Sequence, residues 1–133
     1  MKAGVDEFAI KEAEGELGAV FSAQLKELFK LVNNLGIGDW ILYPIKGPSN
    51  LKKTWDDIVR QNTEIRADYM RKDLIAIGDN GSGDGLCVKV QDGLMGDEIY
   101  LWYHEDGELE EYAPNLGEFI LMVLEEDDDF DDE

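Results

Sequence analysis

The residues able to do chemistry in this chain are few. His104 is the only histidine and Cys87 the only cysteine, which excludes a multi-histidine or cysteine-rich metal centre and any internal disulfide. A serine triad is formally open, since Ser22, Ser49 and Ser82 are each available to pair with His104. None of them stands in a G-x-S-x-G elbow, although Gly81-Ser82-Gly83 comes near it. The reading favoured for His104 is a side chain at a strand end, hydrogen-bonded or exposed. Cys87, flanked by Leu86 and Val88, reads as a small buried hydrophobe rather than a nucleophile.

The stretch Gly78–Gly85 (GDNGSGDG) invites two ligand readings. As a phosphate cradle it lacks the Lys-Ser/Thr ending, opens no helix and carries Asp79 and Asp84, which repel phosphate. As a calcium loop it offers carboxylates without the required order or a downstream glutamate. A turn between two strands explains the glycines with no ligand, and leaves two carboxylates as a contact surface. Glu105-Asp106 and Glu110-Glu111 are adjacent acids in a chain so rich in them that acid–base catalysis does not follow.

The charge is the strongest compositional fact. With 31 acids against 12 bases in 133 residues, the net charge is −19. Such a chain repels phosphate backbones, which argues against direct contact with nucleic acid or an anionic membrane. Eight of the acids lie in Glu125–Glu133, where there is no base, so residues 1–124 still carry −11. A single domain over 1–124 followed by an acidic tail over 125–133 is the expected division. Repelled by itself and set against the helix dipole, the tail is not expected to extend the last helix strongly. The first residues lack an apolar signal core, and the longest apolar run, Phe119–Leu124, is too short to span a bilayer. A cytoplasmic protein is the expectation.

The elements that must position these groups follow from periodicity. Val5, Phe8, Ala9, Ala13 and Leu17 predict a first helix, weakened at its end by Gly15 and Gly18. Ser22 caps a second, with Phe21, Leu25, Leu28, Phe29 and Val32 on one face and Asn33, Asn34 and Gly36 as its stop. Trp40–Ile45 predicts a strand ending at Pro44. A third helix, capped by Ser49 or Asn50, buries Leu51, Trp55, Ile58, Val59, Asn62 and Ile65, while Asp57 and Arg60 fall largely off that stripe. Strands are expected at Leu74–Ile77, Leu86–Val90 and Glu98–Trp102. Turns belong at Asn80-Gly81, Asp84-Gly85, Asp92-Gly93 and Asp106-Gly107. A last helix from Asn115 buries Leu116, Phe119, Ile120, Val123 and Leu124. The order predicts an α+β fold, a largely antiparallel sheet covered by helices.

Several of these segments together resemble the SUKH superfamily, the Smi/Knr-type proteins. Leu74–Cys87 (LIAIGDNGSGDGLC) is similar to that family's strand, glycine-Asp turn, strand signature, and Ile99–Glu105 (IYLWYHE) to its second motif. Ala113–Ile120 resembles its closing helix, and Leu25–Asn34 with Trp40 its early helix and turn. The chain departs from the pattern at Asn33-Asn34-Leu35-Gly36 and at Tyr103, where an acid is frequent. The resemblance implies no catalytic residues and no cofactor. It implies an intracellular immunity protein that binds and neutralises a cognate toxin, often a nuclease, with a regulatory adapter of the same fold as the alternative. An enzyme or calcium module ranks behind both. Nuclease domains are basic where they hold nucleic acid, so the charge fits such a partner. Asp79, Asp84, Trp102, His104, Glu105 and Asp106 are the expected contact residues, with a partly exposed Trp102 as an anchor.

Overall fold

A computed structural model describes residues 2–45, 57–63 and 72–131. Helices α1 (Glu7–Leu17), α2 (Ala23–Leu31), α3 (Ile58–Thr63) and α4 (Leu116–Asp131) accompany an antiparallel sheet of seven strands. The sheet runs β3 (Gly36–Ile37), β4 (Trp40–Leu42), β5 (Leu74–Asp79), β6 (Gly85–Gln91), β8 (Ile99–Trp102), β9 (Leu109–Ala113), with β7 (Leu94–Met95) also pairing β6. A separate pair joins β1 (Lys2–Ala3) to β2 (Val32–Asn33). The α+β class expected from the element order is the class found. No described helix is long and apolar enough to cross a membrane.

Each helix starts where a side chain supplies the missing acceptor. Asp6 Oδ1 accepts from Ala9 N at 2.9 Å, Ser22 Oγ from Leu25 N at 3.3 Å and Asn115 Oδ1 from Glu118 N at 2.9 Å. Gly18, at φ 77°, ends α1. The buried side of α1 is Ala9, Ile10 and Ala13, and Phe8 is 64% exposed, contrary to expectation. The helix is turned so that its two alanines face inward, and α1 touches α3 there; Ile10 takes the place expected for Phe8.

The second helix stops differently from expectation. Val32 turns to extended backbone and opens β2, Asn34 alone takes a left-handed φ (68°), and Gly36 enters β3. Asn33 is buried, and its amide grips one residue from both sides. Its Nδ2 donates to Ile45 O at 2.8 Å, while its Oδ1 accepts from Ile45 N at 2.9 Å.

The strand expected over Trp40–Ile45 ends at Leu42. Tyr43 N still donates to Ile77 O at 2.9 Å. Carrying the Leu42↔Gly78 register two residues further brings Pro44 level with Ala76. Alternation along a strand turns the backbone of residue 44 away from β5, since that of Tyr43 faces it, so β4 gives Ala76 no partner there. Asn62 of α3 fills that place, with Nδ2 donating to Ala76 O and Oδ1 accepting from Ala76 N, both at 2.8 Å. The same amide donates to Ile58 O at 2.9 Å, and the Pro44 carbonyl accepts from Ile58 N. Next to this clasp β5 bulges, the register slipping between Ala76 and Gly78. Asp57, expected off the buried stripe, is 1% exposed, and its Oδ1 accepts from Arg60 N and caps α3. Ser49, Asn50, Leu51, Trp55 and Ile65 lie outside the described residues.

The later strands fall where expected, with β5 and β6 slightly longer. Asp92 (φ 54°) and Gly93 (φ 77°) form the paired left-handed turn of a tight β6–β7 hairpin. Gly85, by contrast, belongs to β6, and Gly83 takes the positive φ instead. The final helix continues to Asp131, past the end expected near Leu124. Once a helix exists, adding a residue costs little, and Glu125 and Glu126 are good helix formers. Leu124 lies on its outer side, 46% exposed.

The clasp makes a direct prediction. Asn62→Leu leaves both backbone groups of Ala76 without that partner in a dry place, so unfolding in urea should show a loss of about 2–4 kcal/mol. A loss below about 0.5 kcal/mol would mean that β5 does not depend on the amide.

Candidate functional site: an acidic surface at one end of the sheet

Because β6 pairs with β8, the β5–β6 loop and the β8–β9 loop stand side by side. The first loop is built from its own carboxylates and amides. Asp79 Oδ1 accepts from Gly81 N at 3.0 Å, and Asn80 Oδ1 from Ser82 N at 2.9 Å. Asp79 Oδ2 accepts from the Tyr43 hydroxyl at 2.9 Å. Burial, then the Asp79 charge, pushes the Tyr43 hydroxyl far above its ordinary range, so it stays a donor.

Asp84 ties the two loops together. Its Oδ1 accepts from His104 Nδ1 at 2.8 Å and from His104 N at 3.2 Å. Those hydrogen bonds hold the Asp84 carboxyl below its ordinary value. The imidazole lies against Gly83, where a Cβ would stand 3.1 Å from His104 Cγ and Nδ1. Gly83 therefore serves two ends: it accepts φ 104° and makes room for the ring.

The second loop closes on itself as well. Tyr103 N donates to Glu108 O, Gly107 N to Tyr103 O, and Asp106 Oδ1 accepts from Glu108 N at 2.9 Å. The Tyr103 hydroxyl donates to Glu110 Oε1 at 2.9 Å, which raises its pKa. Glu105, Asp106, Glu108 and Glu110 all remain exposed. A rigid hairpin thus presents four carboxylates outward.

Further along the same strands, Glu98 and Glu111 are hydrogen-bonded to each other. The bond raises Glu111 and lowers Glu98. Tyr100 OH donates to Glu98 Oε2 at 3.2 Å, and Lys89 Nζ sits 4.5 Å above the Tyr100 ring. This group borders an open cleft of ≈ 400 Å³.

The sequence-predicted residues divide by role. His104 and Asp84 meet, and His104 stands just past the end of β8, as expected. Asp79 and Asp84 are only half-exposed and are used to shape the loop, so the two exposed carboxylates expected there are not found. Trp102 is 6% exposed and belongs to the core, level with Gly85 and Leu109 in the flanking strands; the partial exposure expected of it is corrected. Glu105 and Asp106 are presented as expected. Cys87 is fully buried.

The sequence singles out neither Tyr43 nor Glu108, and marks Tyr103 only as a departure from the family pattern and Glu110 only as one of two adjacent acids. One signal was available for the acids: all 12 bases lie at or before Lys89, so residues 90–133 hold 17 acids and none. Chemically, the surface offers hydrogen-bond acceptors and negative charge in fixed positions. Among the described residues no three His, Cys, Asp or Glu side chains form a group able to hold a metal ion.

Comparison with known families finds one that covers nearly all of this architecture. The family described as SMI1-KNR4 cell-wall (SUKH_5) matches residues 2–125. No curated protein matches the chain.

Two measurements test the loop geometry. A carboxyl with a lowered folded pKa adds stability above the ordinary value of 3.8, and that share is lost as the pH falls through the lowered value. Asp84→Asn should therefore unfold at less urea than the unmodified chain near neutral pH, the difference closing in acid; a difference that survives in acid excludes this origin. Gly83→Ala should cost about 1–3 kcal/mol, since backbone strain and the imidazole act together. Pairing it with His104→Ala should recover the steric part only, which a double-mutant cycle reads directly.

Proposed function

From the premise that this chain belongs to the SMI1-KNR4 family of the SUKH superfamily, we propose that it is an intracellular immunity protein. It binds and neutralises a cognate toxin domain, a basic nuclease, and catalyses nothing itself. The observation that carries this reading is the β8–β9 hairpin, with Glu105, Asp106, Glu108 and Glu110 exposed on a frame fixed by hydrogen bonds. A nuclease must attract phosphate, so its substrate cleft is positive. A rigid row of carboxylates competes for that cleft without paying to order its own loops.

Asp79, Asp84 and Trp102 act beneath the contact surface. The aspartates set the loop, and Trp102 fixes β8 under it. His104, Glu105 and Asp106 meet the partner. The family supports a binding rather than a catalytic role, and the net charge of −19 supports a basic partner.

Recovery of partners on the tagged chain, eluted by a salt gradient, identifies the toxin for an inhibition assay. With that toxin, Glu105→Lys/Asp106→Lys should slow association about tenfold and flatten its salt dependence, with dissociation changed less. An unchanged association rate would remove the hairpin from the interface. A reproducible non-toxin partner would replace immunity by an adapter role.

A further inference from the structure

The outer edge of β9 carries backbone groups that the fold leaves unmet. Among the described residues β9 has β8 on one side and no strand on the other. At the turn, Tyr103 N donates to Glu108 O, so these two residues form a hydrogen-bonded pair. Bonded and non-bonded pairs then alternate along an antiparallel ladder. Trp102 stands level with Leu109, Leu101 with Glu110 and Tyr100 with Glu111. The backbone of Glu110 therefore faces β8, while Leu109 and Glu111 turn their N–H and C=O groups outward. No hydrogen bond reaches those outward groups among the described residues.

Charge decides what can pair there. Glu110 and Glu111 are both exposed, and as neighbours in a strand they stand on opposite faces. Glu108, also exposed, precedes them at the turn. A strand laid along β9 sets one of its side chains beside each carboxylate, whichever face it occupies. Like charges in those places repel, so an acidic strand is refused. A second copy of β9 is such a strand, since it brings Glu110 and Glu111 and no base. On the Glu111 face the need for a cation is greater. Glu98 is hydrogen-bonded to that carboxyl and raises it, and Lys89, over the Tyr100 ring, offsets this only in part.

We propose that β9 takes up an extended basic segment of a partner protein as an added strand. The proposal rests on the reading of a basic protein partner and names how part of it is held. Leu109 and Glu111 supply main-chain hydrogen bonds, which any sequence can use. Glu108, Glu110 and Glu111 supply the choice, favouring Lys or Arg at successive positions and rejecting acids.

The probe is a fluorescein-labelled peptide of about eight residues, threonine with arginine at successive central positions, added to the full chain. One control has glutamate for arginine. Another is N-methylated on successive central amides, so that neither of its edges can donate. Fluorescence anisotropy should show each control bound about tenfold more weakly or worse. The methylated peptide keeps every charge, so its loss reads the backbone bonds with the chain unaltered. In hydrogen exchange, the Leu109 and Glu111 amides should exchange freely in the unbound chain and slow at saturating probe. The Glu110 amide should be protected in both. Glu111→Pro removes an outward N–H where an edge strand tolerates proline, and Glu111→Thr removes the charge alone. The proline should weaken the probe about fivefold more than the threonine.

Equal binding of the methylated peptide, no binding, or unchanged exchange at Leu109 and Glu111 overturns the proposal. So does a dimer in sedimentation that Glu111→Pro dissociates, since the edge would then belong to a second copy. A probe that binds as expected while no toxin is neutralised would count against the toxin reading and leave the edge standing.

Discussion

β4 offers the backbone of Ala76 no partner, and much of the architecture follows from how that deficit is met. Where β4 must leave the sheet, both backbone groups of Ala76 would face a dry space. The Asn62 amide supplies one donor and one acceptor in the arrangement of a peptide group, so β5 is paired along its length. That requirement anchors α3 beside β5 and accommodates the bulge at Ile77. A similar solution recurs at Ile45, held by Asn33. Two side-chain amides thus complete the sheet where the main chain cannot. Each is locally costly to bury and inexpensive only when every polar atom is matched.

The far end of β5 depends on this bracing. Asp79 closes the strand and starts the loop that Tyr43 steadies from β4, and Asp84 carries the order across to His104 and the β8–β9 hairpin. A chain of short hydrogen bonds therefore links the core to an acidic edge. No Lys or Arg follows Lys89 in the sequence, so the hairpin carries no base of its own. Trp102, under the same hairpin, fills the core.

Much of the fold was legible from periodicity. The cap at Ser22, the buried pairs Leu25/Phe29 and Phe119/Val123, and the strands around Cys87 follow from spacing alone. Phe8 was misplaced because a helix with few large apolar residues has no strong preferred side, and Ile10 with two alanines won the packing. Asn62 stood out as a polar break in an apolar stripe, yet its purpose depended on Ala76, in another element. Asp57 looked like a surface acid until its capping bond was seen. At the candidate site, glycines and acids marked the loops correctly. Which acids shape them and which face outward is decided by partners such as Tyr43 and His104, and a sequence does not display those pairings. Trp102 shows the same limit, since its exposure is set by neighbours in other strands.

Among the described residues β9 is the last strand of the sheet, and Glu110 and Glu111 stand exposed on its two faces. An open strand edge invites another edge, and from there a stack of sheets. Repulsion between like carboxylates opposes that pairing, so the acids proposed to meet a basic partner also act as gatekeepers against aggregation. The two duties cannot be separated by removing charge: a neutralised hairpin loses its attraction and its protection together. Acid does the same by protonation, which makes colloidal solubility, and not folding alone, the property that sets how far this protein tolerates a falling pH.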